Sequence, residues 1–418
     1  MSADDQLIND SVNSFYDDYV VVSADQAVSR GFLDGIQHLI RFAGESSNVA
    51  QAARVVALGG VANRLGRLDL LNRSRSMYGT LLGSFQTALL GPRTRNTMES
   101  LMTATLLGIY EVISDVDAQG QHAAHIEGVA ALLNSESSVF KCNATAHKIQ
   151  FHNSLHINGT LSDIQCSSII CKPDSNPAVL NLDHIFNAFS FSFHRANALL
   201  KDSSYVCMDE LRKLRDNVVL LDKECCKWVA DQTGEWMPMT IGSITVEQVC
   251  ASKATNCWPG PVNTYFDLYV ASIWNTYRKI HLMVLDIIFK CSERLGAACL
   301  QSKLDAQRIA EAIAASVPFH LMEDAQEYVN NVQTGSEVAS PGRPVGGLLM
   351  LYPLHVAAEC TAVSQELRHF MKDQLRWIGK VMGIGQASLL SNPSNHLSWD
   401  YIAEGHLLVW AGMLIRPT

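Results

Sequence analysis

The side chains best suited to chemistry lie close together on one stretch of the sequence. Trp274, Tyr277, Arg278, His281 and Asp286 follow one another in a segment that is otherwise largely apolar. Asp286 interrupts the run Leu282 to Phe289. An uncompensated buried carboxylate is expensive, so this residue must find a partner, turn to solvent or serve a site. Asp286 and His281 are therefore the candidates for acid–base catalysis. Five positions separate them, about 140° on an ideal helix, so they do not share a face. Trp274, Tyr277, Arg278 and His281 are the candidates for lining a ligand pocket between helices.

Other catalytic signatures can be tested directly. The sequence contains no H-E-x-x-H, no G-x-S-x-G, no phosphate-binding G-x-x-x-x-G-K-[ST] and no G-x-G-x-x-G following a strand. Asp17-Asp18 begins like the paired acids that hold magnesium in terpene cyclases, yet Val21 stands where a third acid is needed. His320 to Asp324 has an H-x-x-x-D spacing and Ser138 to Lys141 an S-x-x-K spacing. Both patterns are short enough to arise by chance, and a general base also needs a positioned proton donor and a tuned pKa.

The eleven cysteines argue against a thiolate zinc module. None of them forms a C-x2-C pair, the spacing that presents two ligands from one turn. No metal site and no cofactor is expected from these spacings. The net charge of −9 disfavours a general polyanion binder. Residues 41 to 95 run the other way, with eight arginines against Glu45 and Asp69. A solvated helix face or a subunit contact accounts for such a stretch more simply than a nucleic-acid stripe.

These residues must be positioned by helices. With 48% hydrophobic and 17% charged residues in 418, the chain can bury a large core. Apolar residues recur at the helical period through Met77, Leu81, Leu82, Phe85 and Leu89, and again through Met98, Leu101, Met102, Thr105 and Ile109. Gly91-Pro92 separates these two helices, and Asn96 with Glu99 resembles a capping box. His122, His125, Ile126, Val129 and Leu133 form a third stripe. The strongest helix spans about Tyr265 to Leu295 and belongs at the centre of the fold. Alternating runs of strand length are nearly absent, so the fold class is all-α, a multi-helix array of packed hairpins around that central apolar helix.

Residues 1–30 read as a loosely attached lead-in with Phe15, Tyr16 and Tyr19 as anchoring contacts, and residues 31–418 as the helical domain. Residues 141–180 lose clear periodicity and read as an irregular connection. Residues 330–347 read as a mobile loop, and Trp258-Pro259-Gly260-Pro261 as a rigid turn. The polar, acidic start Met1 to Asp10 lacks the basic and apolar regions of a secretory signal, and no run is long enough to span a membrane. An intracellular protein, in cytoplasm or nucleus, is expected.

Several segments carry a resemblance. Ala315-Ser316 with Val317 to Leu321, then Gly347 to Ala358, then Leu375 to Leu390 resemble the C-terminal part of the regulatory domain of fungal zinc-cluster transcription factors. Leu106 to Glu111 followed by His125 to Leu133 is similar to that family's N-terminal helix pair, and Trp274 to Arg278 sits where the family has a comparable motif. The resemblance implies the helical fold, an apolar ligand pocket and a tendency to self-associate as a homo-oligomer. The family couples this domain to an N-terminal six-cysteine zinc cluster, whereas the first cysteine here is Cys142. Direct sequence-specific DNA binding is therefore not expected.

Two functions follow. One is a transcription-factor-like regulator that binds an apolar small molecule, a DNA-binding regulator partner, or both, in fungal secondary metabolism. The other is a cofactor-independent enzyme of cyclase or pericyclase type acting on a polyketide or terpenoid, where orientation supplies most of the acceleration. The family resemblance favours the regulator.

Overall fold

Each one-sided apolar stripe of the sequence coincides with a helix. The computed structural model describes residues 13–91, 94–95, 97–114, 122–134, 176–201, 207–252, 256–297, 299–336, 340–392 and 411–413. Helices dominate these residues, and a two-stranded sheet is the one sheet among them. The all-α class holds. The chain divides into two compact units: Met1–Asp174 with Arg343–Leu349 and Leu375–Thr418, and Ser175–Gly342 with Met350–Gln374.

In the first unit α1 (Ile36–Ala43), α2 (Asn48–Leu65), α3 (Leu68–Leu90), α4 (Met98–Ser114) and α5 (His122–Asn134) follow in order. Ser47 starts α2 by accepting a hydrogen bond from the Ala50 amide at 3.3 Å, and Gly66 ends it in the left-handed region at φ 62°. Helix α2 packs against both α3 and α4, and it is buried over most of its surface from Val49 to Ala62. Gly59 and Gly60 make that approach close. A Cβ at Gly59 would lie 2.8 Å from the Tyr110 ring, and one at Gly60 2.6 Å from the Tyr19 hydroxyl.

The start of α4 differs from the sequence reading. Asn96 lies outside the described residues, and the Thr97 hydroxyl caps the helix by accepting from the Ser100 amide at 3.1 Å. Glu99 instead accepts from the Asn48 amide at 3.2 Å, which ties the beginning of α2 to α4.

The lead-in is pinned rather than loose over residues 13–30. Phe15 and Tyr19 are buried, Tyr16 is half-buried, and Val21 pairs with Phe32 in an isolated bridge. Arg343, in the same unit, donates to the carbonyls of Tyr16, Asp17 and Val20. The basic stretch is partly neutralised at short range: Arg54 pairs with Glu45, Arg64 with Asp18 and Arg67 with Asp69.

The second unit contains α6 (Pro177–Lys201), α7 (Met208–Ala230), β1 (Met239–Ile244), α8 (Val246–Ala251), β2 (Gly260–Thr264), α9 (Leu268–Arg294), α10 (Leu300–Ala314), α11 (Val317–Leu321) and α12 (Ala325–Thr334). Helix α9 is the predicted central helix. Asp267 caps its N-terminus through the Val270 amide at 2.9 Å, and nearly every residue from Tyr269 to Ser292 is buried. Helices α7 and α10 pack along it, with α6 against α7.

The antiparallel pair of β1 and β2 is a correction to the sequence reading. Its register slips between Thr240 and Gly242, and the burial of β1 does not alternate. A strand with no alternating face gives no period-two signal. The expected turn at Trp258 to Pro261 leads directly into β2, where Gly260 takes a φ of 133°.

Residues 330–334 are helical, because α12 continues to Thr334 and stops at Gly335 in the left-handed region. Helix α13 (Pro344–Glu359) begins soon afterwards, followed by α14 (Gln365–Trp377), a π-helical turn (Ile378–Met382) and α15 (Gly385–Ser391). Residues 135–175, which contain most of the expected irregular connection, lie outside the described residues. No described helix is long and apolar enough to cross a membrane.

Candidate functional site

Trp274, Tyr277, Arg278 and His281 recur at i, i+3, i+4 and i+7 and share one face of α9, whereas Asp286 lies off that face. Trp274 donates its indole N–H to the Trp236 carbonyl at 2.6 Å, and the Arg278 guanidinium lies 5.4 Å from the Trp274 ring centroid. Arg278 also donates to the Tyr265 hydroxyl at 2.7 Å and to Asn275 Oδ1 at 2.8 Å. Burying a guanidinium is tolerable here because its donors have acceptors and an aromatic face beside them.

Tyr277 and His281 continue the same face along α7, where Trp228 meets Trp274 edge-on at 5.0 Å. The Trp228 ring stacks on Tyr277 at 4.6 Å, and the Tyr277 hydroxyl lies 2.8 Å from Nδ1 of His281. Nε2 of His281 lies 2.7 Å from Oδ1 of Asp222. Both ring nitrogens of this buried histidine are thus engaged. Burial, together with Cys225 and Cys226 nearby, pushes the Tyr277 hydroxyl well above its ordinary pKa, so it remains a neutral hydrogen-bonding group.

Asp286 has structural partners on both oxygens. Lys290 pairs with Oδ2 at 2.5 Å, while Oδ1 accepts from the Thr361 amide at 3.1 Å and the Thr361 hydroxyl at 2.8 Å. The carboxylate therefore fixes the turn that follows α13. His281 and Asp286 are not brought together, in agreement with their angular separation on the helix.

The H-x-x-x-D spacing dissolves in the fold. Asp324 caps α12 through the amides of Gln326 and Glu327 at 2.8 and 2.9 Å. His320 is buried, with Nε2 3.1 Å from Nδ2 of Asn275. Asn275 Nδ2 also lies 3.0 Å from Ser316 Oγ and 3.1 Å from the Met350 sulfur. Three segments that carry the family resemblance, around Asn275, Ser316 to His320 and Met350, converge on this one amide.

The first unit holds a second arrangement. A cavity of about 560 Å³ is bounded by Phe85 and Leu89 of α3, Ala104 of α4, His125 and Leu132 of α5, and Arg95. That volume falls within the range of small-molecule sites, roughly 300–1,000 Å³. His125 is held at its wall by a polar cluster: Nε2 lies 2.8 Å from the Tyr78 hydroxyl and 3.2 Å from Oε1 of Glu111. Tyr78 donates its hydroxyl proton to Glu111, so Nε2 of His125 is the donor towards Tyr78. Burial, and then the bond to Glu111, pushes the Tyr78 hydroxyl above its usual pKa. Oε2 of Glu111 is buried with no hydrogen-bond partner among the described residues.

Sequence reasoning placed His125 on a helical stripe and in a resemblance segment, but assigned no site to Tyr78, Glu111 or Asp222. A polar residue recurring on an apolar face is the available signal in each case. It identifies a buried polar group without saying which distant residue satisfies it.

No family model matches the chain. No solved structure matches it either. The chain is 32% identical over 419 aligned residues to transcription factor dbaG of Emericella nidulans, covering 98% of this chain and 97% of that protein. Identity of 32% over 98% of the chain shows the family, and the chain therefore belongs to the family of transcription factor dbaG.

Proposed function

We propose that this protein is a transcriptional regulator acting in the nucleus through a DNA-binding partner, with a small-molecule sensing cavity in its first unit. The near full-length relationship to a protein named as a transcription factor carries this reading. The DNA contact is assigned to a partner because the cysteines of these 418 residues have no C-x2-C spacing to supply a zinc cluster from within them. The net charge of −9 points the same way.

The ligand class follows from the cavity wall. Phe85, Leu89 and Leu132 suit an apolar body, while Arg95 and His125 suit a hydroxyl or acidic group on it. The open acceptor on Glu111 sits in the same polar cluster as His125. An aromatic or polyketide-type product of fungal secondary metabolism has that combination of surfaces. Its binding would shift the regulator towards one of two states in proportion to its differential affinity for them.

Gene deletion followed by transcript measurement tests the proposal. Loss of a co-regulated set of biosynthetic transcripts is expected. Unchanged transcripts together with an accumulating linear intermediate would overturn it in favour of an enzyme. The two acid–base candidates give that alternative little support, since Asp286 and His281 are each engaged through both polar atoms.

A further inference from the structure

Helix α7 presents Asp222 and Cys226 one turn apart, and α9 brings His281 against them. One potential ligand atom from each residue lies within 4.8 Å of the other two. We propose that this cluster is a three-ligand site for a divalent transition metal of the zinc class. It is independent of the cavity in the first unit and of the regulatory reading.

The donor set selects the metal class. A thiolate, an imidazole nitrogen and one carboxylate oxygen suit zinc or cobalt(II), whereas magnesium and calcium favour oxygen donors throughout. Tetrahedral bonds of about 2.0–2.3 Å place neighbouring ligand atoms roughly 3.3–3.8 Å apart. Asp222 and His281 at 2.7 Å would separate by less than an ångström or so to admit the ion on that geometry. Asp222 and Cys226 are less constrained than His281, with Asp222 30% and His281 5% exposed at the side chain and Cys226 exposed. The movement therefore falls on side chains that have room to make it.

The surroundings of His281 match those of a metal-bound histidine. Its Nδ1 bonds the Tyr277 hydroxyl at 2.8 Å, which leaves Nε2 directed at Asp222 and the proposed ion. Such an outer hydrogen bond fixes ring orientation at metal sites. Tyr277 is in turn fixed by Trp228, stacked at an interplanar angle of 17°, and by Trp274, edge-on at 5.9 Å. Coordination converts the Cys226 thiol to thiolate and releases its proton to solvent. The resulting site has two anionic ligands for one dication, so its charge balances. Three protein ligands leave a fourth position for water or an incoming donor.

Sequence spacing did not reveal this site because its ligands follow D-x-x-x-C on one helix and a histidine on another. The i, i+4 relation places the first two on one helical face. The packing of α7 on α9 supplies the third.

The test uses the purified full chain under reducing conditions, titrated with cobalt(II) alone and then displaced by zinc. A thiolate-to-cobalt charge-transfer band, saturating at one equivalent, is expected together with a zinc-dependent rise in melting temperature. Cys226→Ser should abolish the charge-transfer band, and Asp222→Asn should weaken binding at least tenfold. Both positions are exposed or partly exposed, so circular dichroism should report an intact fold. Tyr277→Phe should keep the band and lower affinity by roughly ten- to a hundredfold, as loss of an outer hydrogen bond does. Absence of the band in the folded wild-type chain, or an identical band and affinity in Cys226→Ser, would overturn the assignment.

Discussion

His125 on α5 and Tyr78 on α3 meet with Nε2 2.8 Å from the hydroxyl oxygen, and Glu111 of α4 lies against both. Three helices are thereby joined by one polar cluster at the wall of a cavity lined by Phe85, Leu89 and Leu132. This combination of an apolar enclosure with a few fixed polar groups is what small-molecule recognition requires. It also supplies the first prediction.

Gly128 lines that cavity, and a Cβ built on it meets no atom within 4 Å. Gly128→Leu should therefore fill the cavity without a clash. It also replaces a helical glycine, which favours the fold by about 1 kcal/mol on helix propensity. An environment-sensitive apolar fluorophore should lose affinity at least tenfold, while the melting temperature stays the same or rises. Undiminished fluorophore binding in the folded variant would remove the cavity from consideration.

Asp286→Asn removes the charge that pairs with Lys290 and weakens the acceptor for Thr361. A loss of about 1–3 kcal/mol in urea unfolding is expected, the usual scale for weakening a buried hydrogen-bonded carboxylate. Because the residue has structural partners, regulatory output should follow the folded fraction. A variant of wild-type stability with lost output would instead mark Asp286 as functional.

Arg278→Lys keeps the positive charge but cannot reproduce the planar arrangement that bonds Tyr265 and Asn275 and faces Trp274. Stability should fall by about 1.5–3 kcal/mol, the range for hydrogen bonds to a charged group. Equal stability of variant and wild type in chemical denaturation would contradict the proposed role of that geometry.

Lys279 gives a pH dependence of definite sign. Burial depresses its pKa to about 7 from the ordinary 10.5. Between these values the unfolded chain binds a proton that the folded chain does not, so stability rises with pH, by at most about 1.4 kcal/mol per unit from this group. Above pH 9 the buried thiols reverse the slope. Burial raises Cys291 to about 11 and Cys360 to about 12, so the unfolded chain deprotonates first and stability falls. A maximum near pH 9 is expected in denaturation curves, and Lys279→Met should flatten the rise between pH 7 and 8.5. A wild-type curve that falls over that interval, or a rise unchanged in the variant, would refute the assignment.

The elements were legible to different degrees for identifiable reasons. Helix α9 could be read almost to its ends because its apolar residues cover most of a helical surface; the Asp267 cap that sets its start was seen only in the structure. The strands β1 and β2 could not, since the burial of β1 lacks alternation and their pairing is irregular. The α12 terminus was obscured by the polar run from Asn330 to Thr334, which is helical because Tyr328, Val329 and Val332 bury one face.

The chemistry divides in the same way. Sequence alone determined that the protein is helical, that α9 is central and that Asp286 must find a partner, turn to solvent or serve a site, because these follow from local period and from the cost of burying charge. The tertiary structure decided which partner each polar group has. Asp222 with His281, Glu111 with His125, and Asn275 with His320 are joined across helices distant in sequence. Helical periodicity states which face of a helix is buried, whereas only packing states what that face meets.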